Sequence, residues 1–192
     1  MTVAQRSTLV PVAADSYGWL YRLAVSEEIG WKWRWRGHHP SPEEFIQRLW
    51  ADVLVQYVVV DSSNATPVGL VQAYNHSVSA QHCFITALFE PRVHRQGWPL
   101  QAVETLVDRL FGEWKMRKVY AEANEVNLPS VRSGIGRLFV QEAHLRRHIQ
   151  LGGDLVDSYT LAAYRHQWLA NRSSRVGLAG SPLARLLEVE RW

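Results

Sequence analysis

The chain predicts an α/β (mixed α+β) fold, a mixed sheet of about seven strands flanked by helices. Three observations carry this reading. β-branched runs and amphipathic helical stretches follow one another in the order strand, two helices, three strands, helix, strand, helix, hairpin. Hydrophobic residues make up 47% of the 192 residues and charged residues 20%, which is ordinary for a globular core and too apolar for a disordered chain. No apolar run approaches the roughly 20 residues that cross a bilayer, so the elements must pack on one another and no membrane partner is expected.

Ser7 to Val12 reads as a first strand. Asp15 or Ser16 can cap a helix that places Trp19, Leu20, Leu23 and Ala24 on one face, and Gly30 ends it. Trp31-Lys32-Trp33-Arg34-Trp35-Arg36-Gly37 alternates aromatic and basic residues. Period two predicts an extended segment with the tryptophans on one face and the cations on the other. Ser41-Pro42-Glu43-Glu44 is a helix start, with Ser41 as cap, Pro42 at the first helical position and Glu44 completing a capping box. Phe45, Ile46, Leu49, Trp50 and Val53 form the buried stripe that follows.

Strands are expected from Gln56 to Val60, from Val68 to Tyr74 and from His82 to Phe89. Pro91 to Gly97 is a loop. Pro99 to Lys115 is the clearest helix, with Leu100, Val103, Val107, Leu110, Phe111 and Trp114 at helical spacing. Lys118 to Ala123 is a strand. Asn127 to Phe139 is a weaker helix, because Gly134 and Gly136 lie inside it. Arg146 to Leu151 and Leu155 to Leu161 flank Gly152-Gly153-Asp154 as a hairpin. From about Arg165 the pattern breaks, with a polar, loop-like Asn171-Arg172-Ser173-Ser174-Arg175 and a short helix or loose tail through Leu183, Leu186, Leu187 and Val189. The expected division is one domain over residues 1–168 and a tail over 169–192.

Composition excludes several chemistries. The single cysteine, Cys83, cannot form an internal disulfide. Met1 to Leu9 carries no export signal, so a cytoplasmic protein is expected. The eight histidines show no metal-ligand spacing, and no metal is expected. GxSxG, P-loop and GxGxxG patterns are absent. A net charge of +3 permits an anionic ligand; without a recognised motif, nucleic acid is the least supported partner. Nine tryptophans are unusual. A dense tryptophan face is either core or a binding surface.

The informative stretch is Phe89-Glu90-Pro91-Arg92-Val93-His94-Arg95-Gln96-Gly97-Trp98-Pro99. It joins a strand to the N-terminus of the best helix, where backbone N–H groups and the helix dipole favour an anion. His94, Arg95 and Gln96 add donors, and Gly97 allows close approach. This loop and the order of elements resemble the GNAT superfamily of acyl-CoA N-acyltransferases, most of all its RimJ/RimL-like branch. Pro91, His94, Gly97, Trp98 and Pro99 stand at the positions of that family's phosphate loop. Arg117 to Glu122 looks like its fifth strand, Asn127-Leu128-Pro129-Ser130 like the opening of its next helix, and Leu138-Phe139 stands where its Gly-Phe usually falls. The likeness covers residues 68–168 well and the N-terminal part loosely.

The resemblance implies a sheet splayed in its middle, with pantetheine paired near Leu88 and Phe89. It implies a pyrophosphate on His94, Arg95, Gln96, Gly97, Trp98 and Pro99, with Asn127 near the donor. The donor is acetyl-CoA or another acyl-CoA, and the acceptor is an amine, either a small molecule or a peptide or protein N-terminus, which attacks the thioester directly. Two positions depart from the family pattern, Arg95 for a small residue and Pro99 for Gly or Ala. Where relatives place a catalytic tyrosine and a glutamate, this chain has Gly134 and Phe84. Glu122 is the best remaining base, and Ser130 either donates to the thiolate or caps its helix. Trp31, Trp33, Trp35 and Arg36 would line the acceptor side. The alternatives these departures leave are a degenerate domain that binds a ligand or protein, or a transferase that uses a carrier-protein thioester. A homodimer through exposed tryptophans or residues 183–189 is also open.

Overall fold

The computed structural model describes residues 6–94 and 96–175. Seven strands form one sheet: β1 (Ser7–Pro11), β2 (Val53–Asp61), β3 (Thr66–Ser77), β4 (His82–Phe89), β5 (Lys118–Asn124), β6 (Val140–Leu151) and β7 (Asp154–Tyr164), in the order β1-β2-β3-β4-β5-β7-β6. All neighbours are antiparallel except β4 and β5. A parallel pair needs a crossover, and helix α4 (Pro99–Gly112) supplies it.

Strand alternation divides the core in two. On one face α4 buries Ala102, Leu106, Val107, Leu110 and Phe111 against Val71, Ala73, Cys83, Ile85 and Val119. On the other, α1 (Tyr17–Ala24) and α3 (Pro42–Leu49) bury Leu20, Leu23, Phe45 and Leu49 against Val58, Leu70 and Leu88. Ser41 caps α3, its Oγ accepting from the Glu44 N–H at 3.1 Å. Glu44 pairs with Arg48 at 2.9 Å instead of reaching back, so only half the capping box forms. Neither Asp15 nor Ser16 caps α1 through its side chain; Ala14–Ser16 is a 3₁₀ turn.

Three expectations are corrected. The Trp31–Gly37 alternation is no strand: a one-turn helix α2 (Glu27–Gly30) runs into a series of turns, with Arg36 and Gly37 at positive φ. Trp33 and Trp35 are buried, Trp31 is 46% exposed, and Arg34 turns inward. Tertiary contacts of the aromatic and guanidinium groups override the two-residue period here. The Asn127–Phe139 helix is broken, as its glycines forewarn. It consists of α5 (Leu128–Val131), a 3₁₀ turn over Arg132–Gly134, and an isolated bridge between Ile135 and Phe139.

The polar stretch from Arg165 is helical, α6 (Arg165–Arg175). Its anchor is Trp168, buried against Phe111 and Phe139 at ring distances of 6.0 and 6.4 Å, with its indole N–H donating to Asp108 Oδ1 at 2.8 Å. Arg172 also pairs with Asp108, so α6 is tied to α4 by one carboxylate. Burial holds that carboxyl above its usual range against the pull of both partners. The expected helix through Leu183 to Val189 lies outside the described residues. No helix among those described is long and apolar enough to cross a membrane.

Candidate active site

The sheet splits between β4 and β5. Their parallel ladder runs only from His82↔Lys118 to Ile85↔Ala121. Beyond it, β4 stays paired with β3 as far as Gly69↔Phe89, and β5 with β7 as far as Asn124↔Ser158. Among the described residues, one edge of Thr86–Phe89 and the facing edge of Glu122–Asn124 are therefore left without a strand partner. Such an edge pairs readily with an extended amide-bearing ligand. Leu88 and Phe89 lie on it, as expected. The Phe89 carbonyl receives the His94 ring at 3.2 Å.

β4 ends in the Pro91–Val93 3₁₀ turn, and the chain re-enters α4 at Pro99. Gly97 has φ +77°, and a Cβ built on it would meet nothing within 4 Å. The backbone N–H groups of Gly97 and Trp98 have no acceptor among the described residues. Gln96 serves the loop itself, donating to the Arg92 carbonyl at 2.7 Å and accepting from the Trp98 indole at 2.8 Å. Trp98 is buried, and the Arg6 guanidinium lies 5.2 Å over its ring. Pro99 adds no donor. Arg95 lies outside the described residues.

Glu122 is the first residue of β5 past the last β4–β5 pair, exposed at the apex of the split and facing the strand position of Thr86. It lies on the sheet face opposite α4, because Val119, Ala121 and Ala123 point into the α4 core. That face also carries Tyr74, Phe84 and Tyr120, with ring distances of 6.0 Å (Tyr74–Phe84) and 5.1 Å (Phe84–Tyr120). Burial pushes the Tyr74 hydroxyl upward; the charge of Glu122 adds to this and that of Arg34 opposes it. Trp33 donates its indole N–H to Thr86 Oγ1 at 3.1 Å. Asn127 Nδ2 donates to the Lys32 carbonyl. The Trp31–Gly37 segment thus reaches from β4 to the loop after β5, across the mouth of the split. The Trp31 ring lies against Gly37 and the hairpin tip at Gly152.

Not every expected residue gathers here. Trp35 packs into the α1–α3 core beside Phe45, under Arg48, and Arg36 is exposed. Ser130 is the third residue of α5 and does not cap it. Gly134 uses its carbonyl to accept from the Leu138 and Phe139 N–H groups at 2.7 and 3.0 Å. Cys83 is fully buried under α4, and burial pushes its thiol up to about 12, so it cannot act as an acyl-accepting thiolate. Sequence reasoning missed Thr86, Tyr74, Gln72 and Arg34. The signal for Gln72 was present: a polar residue in an otherwise apolar strand must be hydrogen-bonded. Its Nε2 donates to the Leu49 carbonyl at 2.9 Å and to Gln56 Oε1 at 2.8 Å, and its Oε1 accepts from Arg34 at 2.7 Å.

A mixed sheet split at its one parallel pair, with an open glycine-bearing loop feeding the crossover helix, defines an acyltransferase fold. The sequence profile of the acetyltransferase (GNAT) domain matches residues 6–133, and the chain belongs to that family. It is an acyl-CoA-dependent N-acyltransferase, acting on an amine. No curated protein matches it in sequence. Among solved structures it is similar to spermidine N-acetyltransferase from Vibrio cholerae in complex with CoA and spermine, at 17% identity and TM-score 0.74, over 85% of this chain and 98% of that one. It is also similar to the spermidine/spermine N-acetyltransferase SpeG from the same organism with manganese ions, at 18% identity and TM-score 0.69, over 88% and 97%. At these identities the likeness speaks for the fold.

Proposed function

We propose that the β4–β5 split holds the donor thioester and that Glu122 is the general base, in a cytoplasmic enzyme of the RimJ/RimL-like branch that uses acetyl-CoA. The observation that carries this is the place of Glu122: the first side chain beyond the last ladder pair, where an acyl carbonyl seated in the split would meet an amine from the opposite face. Pantetheine amides pair with the open edge of β4 at Leu88 and Phe89. The pyrophosphate rests on the Gly97 and Trp98 N–H groups, with the helix dipole and the charge of Arg95 in support. His94 must turn away from the Phe89 carbonyl to free it. Pro99 removes one backbone donor, which Arg95 offsets.

The amine nitrogen attacks the thioester carbon; the C–N bond forms and the C–S bond breaks. Glu122 takes the ammonium proton, and the departing thiolate takes a proton from solvent. No acyl-enzyme forms, in keeping with the buried Cys83. Trp31 and Trp33 border the acceptor. Thermal denaturation with acetyl-CoA at about 100 times its dissociation constant should raise stability by roughly 2.7 kcal/mol. A shift only with a phosphopantetheine thioester would move the donor to a carrier protein. No shift with either would overturn the reading.

A further inference from the structure

We infer that Arg34 forms a carboxylate subsite beside Glu122, so that the preferred acceptor is a small primary amine that also carries a carboxylate. This rests on the reading of Glu122 as the base. The geometry starts from a guanidinium that the fold has drawn inward. Arg34 Nη2 donates to Gln72 Oε1 at 2.7 Å and Nη1 to the Arg48 carbonyl at 2.6 Å. Its carbon lies 5.2 Å from the Trp33 ring and 5.9 Å from the Tyr74 ring. Two bonds leave N–H donors of the five-donor fork unused.

Among the described residues, no carboxylate lies within 4.0 Å of Arg34. The neighbouring Arg48 spends its charge on Glu44 at 2.9 Å. A half-buried cation without a carboxylate partner is costly, and a ligand carboxylate would relieve that cost. Burial lowers the Arg34 pKa, yet a guanidinium stays charged.

The subsite lies next to the chemistry. Trp33, which flanks Arg34, bonds to Thr86, the residue opposite Glu122 in the split. Tyr74, the other flank, has a hydroxyl that feels both the Glu122 and the Arg34 charge. The site therefore presents an anion and a cation in the neighbourhood of one tyrosine. An amine with a carboxylate matches both charges. A polyamine would bring a further ammonium toward Arg34, with Lys32 and Arg36 exposed on the same segment.

The test compares acceptors matched in length and amine basicity: γ-aminobutyrate and ε-aminohexanoate, each beside its neutral amide, with spermidine as the polycationic arm. With acetyl-CoA as donor, kcat/KM for at least one carboxylate should exceed that for its amide about tenfold or more, the effect of a charged hydrogen bond. Arg34→Gln should erase the difference and Arg34→Lys should keep part of it, both with the acetyl-CoA thermal shift intact. The wild-type comparison stands even if a variant fails to fold. Transfer to amides or spermidine as fast as to the carboxylates overturns the subsite and leaves the Glu122 reading in place. Acetyl-CoA binding with no transfer to any of these amines overturns both.

Discussion

The strands that build the α4 face of the sheet also build the α1–α3 face, residue by alternate residue, and the two differ in kind. Toward α4 they present Val71, Ala73, Cys83, Ile85 and Val119, closed under a regular amphipathic helix. On the other side the same strands present Gln72, Tyr74, Phe84, Thr86, Tyr120 and Glu122, and only part of that face lies under helices. Water is excluded on the first face, so polarity is kept out of it. On the second, the buried Gln72 is tied into a hydrogen-bond network, and Glu122 is left open at the split. One face holds the fold, and the proposed chemistry falls on the other.

Breaking the first face should cost stability and spare the reaction. Trp168→Ala removes the ring that seats α6 on Phe111 and Phe139 and should cost about 3–5 kcal/mol by denaturant titration. The rate per folded molecule should stay unchanged; a lost rate in folded protein would blur the division. At the seam between the faces, Gly97→Ala forces a side chain to φ +77° and should cost about 1–2 kcal/mol. Its Cβ would also intrude where the donor approaches, so acetyl-CoA affinity should fall as well; unchanged affinity would remove Gly97 from the donor site.

On the second face, Trp33→Phe keeps an apolar ring and loses the bond to Thr86. About 1 kcal/mol, roughly fivefold in acceptor kcat/KM, is expected, with acetyl-CoA binding kept. The smallest effect lies at the end of β2, away from the β4–β5 split. The Arg6 guanidinium at 2.9 Å, helped by Ser63, holds the Asp61 carboxyl well below the usual carboxylate range. A depressed folded pKa contributes stability above the unfolded value near 3.8 and loses it as pH falls further. Asp61→Asn should therefore flatten the acid limb of a stability–pH curve below about pH 4. An unaltered limb would assign it to other groups, such as Asp157.

The closed face was legible in the sequence because its physics is local. β-branched runs, the α4 stripe and the Gly152-Gly153 turn, at φ +59° and +97°, follow from periodicity and backbone freedom. The chemical face was legible only in pieces. The resemblance pointed to the split and the loop, Glu122 was only the best remaining base once the family's glutamate position fell on Phe84, and local propensity could not place Trp31–Gly37. There Arg34 stacks on Trp33 and Arg48 on Trp35, and these contacts across elements outweigh the alternation that reads as a strand. α6 was missed because its anchor residue Trp168 is held by Asp108, Phe111 and Phe139, remote in sequence. Thr86 and Tyr74 look like ordinary strand residues until the split shows which face is open.

The most direct test of the account is Glu122→Gln, read twice on the same folded protein. The transfer rate should fall at least about 100-fold, as for loss of a general base, while the acetyl-CoA dissociation constant stays within about twofold, since the proposed role of Glu122 is toward the amine and not the donor. A transfer rate unchanged by Glu122→Gln would contradict the account, because the proton would then leave by a route that does not pass through the apex of the β4–β5 split.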